Sequence, residues 1–488
     1  MALTIEQKPK YQLVPANNEI IFTVFDGFQT ANRVKVKYIA EVYIENTSGG
    51  ITASISADTP RAKLRVSPNN AGAGIFDLGP IACNYVSPDY LGGVVHNSGA
   101  NTSKYKSTSF SDTTPHPIHL IDKFSTNRTS CRFMKVRFKV ESAPNITGAV
   151  TIVSSNSATS EEIVLYNGYI NDDETLNLDS NGDYGYALDL SGMDRNFIMN
   201  DTTAKFLTNA PTTQYIKETD YMTMPFFSQY DEDFVVGAGG SYPSINLITY
   251  LFYNSSSVLI QTTNKSISSS NGGHAGNMGD SNNRMQFAGC GPANINGGGT
   301  GIPATWSYYT AQAFANDSGS SSTAVSTLYT FYKQDDDCRY PTIRLTWLNK
   351  FGGWDYYNFQ KKSINTFTAE RTTYTQLKGE WNKSKYEHHG YRGGKKSFVN
   401  NITQNITLNT DYITEDEAIW LEELFISTDV YIIKPQQTDY NNEGYINKYV
   451  EPITLSTEEH IRKTKVNDKL IQYTFDIIKT KNRKTQRV

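Results

Sequence analysis

The chain is 488 residues long, with 38% hydrophobic and 12% aromatic residues and a formal net charge of −4. That length exceeds what one hydrophobic core usually supports, so about three domains are expected. The small net charge excludes a chain that binds polyanions over its whole surface. No apolar run approaches the roughly 18 residues that cross a bilayer as a helix.

The four cysteines, Cys83, Cys131, Cys290 and Cys338, are far apart and form no CxxC pair. Free thiols are expected rather than a zinc ribbon or a redox pair. The opening MALTIEQKPKYQLVP has no apolar signal region, so synthesis in a cytoplasm without an export signal is expected. Tyr and Thr favour half-buried strand positions, and Asn, Ser and Gly favour the turns between strands. With 32 Tyr and many polar turn residues, the composition predicts a mostly β protein with long polar loops.

From residue 17 onward the pattern is one of short strands. Ile20–Val24 is an apolar run; Val34, Val36 and Tyr38 alternate with Lys35 and Lys37; Leu64 and Val66 alternate with Lys63 and Arg65. Residues 92–130 read as a polar insertion. Arg132–Glu141 then sets Met134, Val136, Phe138 and Val140 on one face and Lys135, Arg137 and Lys139 on the other, a strand with one wet side. With Val150–Val153 and Ile163–Tyr166, these strands predict an antiparallel sandwich over residues 1–200. A second sandwich is expected over 201–363, from strands at Ile245–Tyr253, Val258–Thr262, Thr305–Ala313 and Ser326–Lys333. A Gly/Ser/Asn-saturated loop at 264–303 is expected to be either a protruding interaction loop or a segment ordered only by neighbouring subunits. Arg344–Ser363 alternates, turns through Gly352-Gly353 and returns as an aromatic strand, and is expected to close this sandwich.

The third unit, 364–488, shows the clearest local signals. Thr366–Gln376, Phe398–Asn409, Val430–Ile433 and Leu470–Ile478 read as strands. Thr414-Glu415-Asp416-Glu417 is a capping box, and Trp420, Leu421, Leu424 and Phe425 recur at helical spacing, which predicts a helix over 415–426. The tail is basic, with Lys481, Arg483, Lys484 and Arg487 suited to weak phosphate contacts with DNA or to an acidic neighbour. All together the fold class is an all-β, multidomain chain of antiparallel sandwiches with one helix inserted in the C-terminal one.

Signals for chemistry fail on spacing. Asp179, Asn181 and Asp183 open like a calcium loop, but Tyr184 and Leu190 stand where Gly and Glu are needed. Arg392–Ser397 breaks the phosphate-loop run at Lys396, and Gly297–Gly299 lies in no strand–helix context. Glu387, His388 and His389, and His116 with His119, match no zinc spacing. Asp335–Asp337 reads as a solvated turn. No nucleophile elbow or paired-carboxylate spacing occurs. No enzyme activity, cofactor or metal is therefore expected.

Three segments carry a resemblance: Leu345–Ser363 with its Trp-Leu-Asn and Gly-Gly-Trp-Asp block, Gly74–Tyr85, and Phe206–Pro211 followed by Asp220–Met224. Together they resemble virion structural proteins of tailed phages and prophages, especially those of Bacteroidetes hosts and marine origin. The last unit is similar to the tail-tube and distal-tail fold. The resemblance implies a ring, collar or baseplate hub component of the tail, located in the virion and assembled in the host cytoplasm. It implies a homo-oligomeric ring, other tail or neck proteins as partners, and DNA passing in a tail channel. It marks Trp347, Gly352, Gly353, Trp354 and Asp355 as the family block, and Trp420 with the basic tail as assembly contacts. The alternatives are a receptor- or glycan-binding tail protein, whose binding face would be aromatic surfaces and the 264–303 loop, and a virion-associated glycan hydrolase.

Overall fold

A computed structural model describes residues 2–9, 12–88, 124–127, 129–171, 197, 199, 202–227, 245–267, 280–296, 301–317, 321–335, 339–433, 450–457 and 471–480. The chain is all-β and multidomain, with mostly antiparallel sheets. It divides into two compact units. The first is built from Met1–Gln334 and Leu348–Asp355, the second from Asp335–Trp347, Tyr356–Lys434 and Asn447–Val488. The first unit thus takes in both stretches expected to form the N-terminal and second sandwiches.

In the first unit, strands Thr4–Gln7, Ile21–Phe25 and Ala73–Asp77 form a small sheet against a larger one. The larger sheet runs in the order Leu13–Pro15, Ile163–Tyr166, Cys131–Ala143, Val34–Glu45, Ala62–Val66, with Thr151–Thr159 also on Cys131–Ala143. The alternation legible in 132–141 is the reason: Val136 lies opposite Val42 and Phe138 opposite Ala40. These side chains share one core with Phe22, Val24 and Phe76 of the small sheet. Phe138 packs 5.6 Å from each of Phe22 and Phe76. Gly74 is required there, since a Cβ would lie 2.4 Å from the Tyr38 ring. Departing from the all-antiparallel expectation, Ile163–Tyr166 runs parallel to Leu13–Pro15, and Thr213–Ile216 parallel to Tyr329–Lys333.

The wet side of the larger sheet holds one deeply buried carboxylate. Glu41 accepts from Lys63 at 2.8 Å, Lys139 at 2.8 Å and Arg137 at 2.6 Å, with only 2% of its side chain exposed. Burial alone would raise its pKa, but hydrogen bonds from Lys139, Lys63 and Arg137 hold it down at about 2. Burial and the neighbouring Glu41 charge push the Tyr43 hydroxyl up to about 12. The helix Ser48–Ser56 follows Val34–Glu45, capped by Thr47, whose hydroxyl accepts from the Gly50 amide at 3.0 Å.

The rest of the first unit holds a second large sheet, in the order Thr213–Ile216, Tyr329–Lys333, Tyr308–Asp317, Ile245–Tyr253, Leu259–Ser266. Its buried side is aromatic, with Tyr309 within 5.6 Å of Phe252, Trp306 and Phe331. A smaller sheet of Thr223–Phe227, Met285–Gly289 and Phe124–Thr126 is tied to it by the Tyr309 hydroxyl, which donates to the Cys290 carbonyl at 2.8 Å. Two expectations are corrected here. The 264–303 stretch is not a loop throughout and does not take all its order from neighbours, because Met285–Gly289 is a fully buried strand and Pro292–Asn296 a short helix of the chain itself. The 92–130 insertion contributes a strand, Phe124–Thr126. Cys83, Cys131 and Cys290 are free thiols, and Cys338 lies outside the described residues.

The second unit is organised on a seven-stranded sheet. Its order is Trp354–Phe359, Ile343–Leu348, Val430–Ile433, Val450–Leu455, Thr474–Lys479, Gly394–Asn409, Ile364–Gln376. The expectation that Arg344–Ser363 closes the second sandwich is corrected, since its first strand pairs with Val430–Ile433, Trp347 lying opposite Val430. The helix spans Glu415–Ile426, and its capping box is formed on both sides. Ala418, Trp420, Leu421 and Leu424 are its buried face. Trp420 packs 5.2 Å from Trp347 and 6.1 Å from Tyr357.

Candidate assembly surface

The least expected feature of the second unit is at its edge. Ile364–Gln376 pairs with Gly394–Asn409 from Ile364 opposite Thr407 to Gln376 opposite Gly394. Only Gln404–Asn409 is also paired on the other side, with Thr474–Lys479. At about 3.3 Å per residue, the ribbon beyond Gln404 runs roughly 30 Å as two strands alone. Frequent Thr, Ile, Val and aromatic residues make such a ribbon locally favourable. A bulge between Thr372 and Thr373 interrupts its register, and Gly393 and Gly394 turn it with φ of +97° and +77°.

The two faces of this arm differ. Ile406 is buried at its base, and the same face continues outward through Phe367, Ile402 and Ala369, all exposed. The opposite face presents Thr366, Thr368, Asn401, Thr403 and Asn405. Beyond the bulge Tyr374 and Phe398 meet at 6.4 Å, and both are exposed. Exposed apolar side chains, interspersed with Asn365 and Gln404, therefore continue from the core along a ribbon that has no third strand among the described residues. Two-stranded ribbons are marginal in water by themselves, and long uncovered edge strands invite pairing with another chain.

The arm's end, 377–393, closes on the small ladder Gly379–Glu380 with Glu387–His388. Trp381 and Tyr391 are 73% and 75% exposed, and Trp381 lies 5.2 Å from Tyr386. Both acids here have cationic partners, Glu380 with Arg392 at 3.3 Å and Glu387 with Lys383 at 2.8 Å. The Asn382 amide and the Arg392 guanidinium hold the Glu380 carboxyl below its usual range. Lys378, Lys385, Lys395 and Lys396 are exposed around the aromatics.

The sequence-marked block behaves in the opposite way. In the first unit, Asn349 organises the turn: its carbonyl oxygen accepts from the Phe351 and Gly353 amides at 3.1 and 2.9 Å. Its amide nitrogen donates to the Leu207 carbonyl and to Asp355. Asp355 also accepts from Thr208 at 2.7 Å. Gly352 has φ of +81°, and a Cβ there would lie 2.3 Å from the Asn167 carbonyl; at Gly353 it would lie 2.3 Å from Pro225. Trp347, Trp354 and Asp355 are buried. This block is a structural turn and core, with no surface to offer. Trp420, expected at an assembly contact, is corrected to a core residue, since its ring is buried against Trp347. Lys481, Arg483, Lys484 and Arg487 lie outside the described residues, as do Asp179–Asp183, His116, His119 and Gly297–Gly299.

Sequence reading missed the arm as a surface, although its strands were placed. The available signal was the cluster of cations and aromatics in 377–396. The Glu41 cluster is not a reactive centre, because its carboxylate is saturated by three cations. Among the described residues no group of three or more His, Cys, Asp or Glu could hold a metal ion, and no helix is long and apolar enough to cross a membrane. No protein-family model matches the chain, and no curated protein matches it either.

Proposed function

We propose that this chain is a structural protein that works by self-assembly, as a ring, collar or baseplate hub component of a tailed-phage particle. The observation that carries the reading is the arm: a ribbon continuing from a well-packed sheet, with Phe367, Ala369 and Ile402 exposed along one face, aromatics at its end, and no third strand beside its outer part among the described residues. Such a surface fits subunits that complete one another's sheets. The phage setting, other tail or neck proteins as partners and a virion location rest on the sequence resemblance of Leu345–Ser363 and its companion segments. The mechanism is geometric, with no covalent step. Electron-microscopic images of the purified full chain at rising concentration test it. Closed cyclic oligomers are expected; a chain that stays monomeric at every concentration contradicts it.

The exposed Trp381–Tyr386 pair is the one observation favouring the receptor- or glycan-binding alternative. On that reading, a glycan array gives a signal that Trp381→Ala abolishes while the oligomeric state is unchanged.

A further inference from the structure

The assembly reading leaves open what the arm touches, and the charge distribution of the second unit narrows it. Residues 377–396 hold six cations and two acids, a net +4 in a chain whose total is −4, so the remainder carries −8. The two acids are engaged within the arm's end. Lys378, Lys385, Lys395 and Lys396 have no ion-pair partner among the described residues, and lie exposed in the same stretch as Trp381 and Tyr391.

A surface of matching chemistry lies on the solvent side of the helix Glu415–Ile426. Positions 415, 419, 422 and 426 fall on one face by helical spacing, giving Glu, Ile, Glu, Ile along successive turns. Ile419 is 45% and Ile426 77% exposed, with Tyr412 exposed just before the helix and Asp416 beside Glu415. Large aliphatic side chains at one-turn intervals on the outer face of a helix are the kind of patch that marks an interaction surface. One surface is apolar and acidic, the other aromatic and basic, and both are exposed on the same chain.

We infer that the arm's end of one copy docks on the outer face of the Glu415–Ile426 helix of a second copy. Trp381 and Tyr391 cover Ile419 and Ile426, while Lys378, Lys385, Lys395 and Lys396 meet Glu415 and Asp416. The two patches are different surfaces of one chain, so the contact is head-to-tail, and repetition gives a closed ring or an open filament rather than a two-fold dimer. This inference rests on the self-assembly reading and adds the identity of the two faces.

Charge reversal tests it on the full chain by sedimentation velocity. One variant combines Lys378→Glu, Lys385→Glu, Lys395→Glu and Lys396→Glu; a second combines Glu415→Lys and Asp416→Lys. Folding of each is checked by circular dichroism. Each reversed chain alone should associate at least about tenfold more weakly than the unchanged chain, since like charges then face each other. An equimolar mixture of the two should regain association, since both contacts between unlike variants then pair opposite charges while contacts between like variants stay repulsive. If the unchanged chain assembles and neither reversal weakens it, the docking contact is wrong and the self-assembly reading stands. If the unchanged chain never assembles, both fall. A poly-dT oligonucleotide added to the same samples decides the rival partner: retention by the unchanged chain but not the lysine-reversed one, with assembly unaffected by either reversal, makes the arm a nucleic-acid contact and overturns the inference.

Discussion

Two hairpins of similar texture have opposite fates in this molecule. The turn at 349–355 and the arm's end at 377–396 are both rich in aromatics and both carry a Gly-Gly pair, Gly352-Gly353 and Gly393-Gly394. In the first, the buried Asn349 and Asp355 are satisfied: Asn349 closes the loop, and Asp355 accepts from Thr208 and Asn349. In the second, lysines surround the rings and nothing covers Trp381. Aromatic content therefore does not decide inside from outside. The polar residues between the rings decide it, since a buried Asn or Asp can be satisfied by backbone amides whereas four lysines without partners cannot be buried.

The comparison breaks most directly by mutating one ring on each side. Trp347→Ala removes a fully buried ring from the helix–sheet core and should cost about 3–5 kcal/mol, read as a lower denaturant midpoint. Trp381→Ala should leave the stability of the monomer within about 0.5 kcal/mol while reducing assembly. A large loss of monomer stability from Trp381→Ala would mean that the arm's end is packed in solution.

Next in size is the acid response of the first unit. The Glu41 carboxyl lies at about 2 when folded, below its ordinary 4.5. Its ionised form therefore favours the native state above pH 4.5, and that stability is lost as pH falls from 4.5 towards 2, on the order of 3 kcal/mol. Glu41→Gln should remove that segment of the acid-unfolding curve and lower stability at neutral pH, because three cations lose their shared acceptor. The smallest effect is expected at the helix cap, where Thr414→Ala should cost about 1 kcal/mol by leaving the Glu417 amide without its acceptor.

Much of this fold was legible in the residues, and the failures have physical causes. Period-two alternation placed Cys131–Ala143, because one of its faces is core and the choice of side chain is forced, while a short apolar run marked Ile163–Tyr166, which is buried throughout. The capping box fixed the start of the helix at Glu415. The helix Ser48–Ser56 was not seen because SGGITASIS is made of weak helix formers, and Thr47 alone signalled its cap. Met285–Gly289 was hidden because a strand buried on both sides does not alternate and lay inside a polar stretch. The pairing of Arg344–Leu348 with Val430–Ile433 joins segments far apart in sequence, and nothing local encodes it. The strands of the arm were visible while its exposure was not: Thr and Asn sit equally well on a covered or a wet pleat, so only the cluster of lysines pointed outward.

Salt sharpens the contrast further. Assembly through lysines and acids should weaken as ionic strength rises, while the denaturant midpoint of the monomer, held by apolar cores, should hardly move.

Hydrogen exchange on the full chain at low and high protein concentration tests the arm's role most directly. If the arm is the assembly surface, backbone amides of 364–376 and 394–403 exchange quickly in dilute solution and become protected as subunits associate, with the 349–355 turn protected at both concentrations. Arm amides that exchange equally fast in the assembled particle and in the dilute monomer would contradict the account.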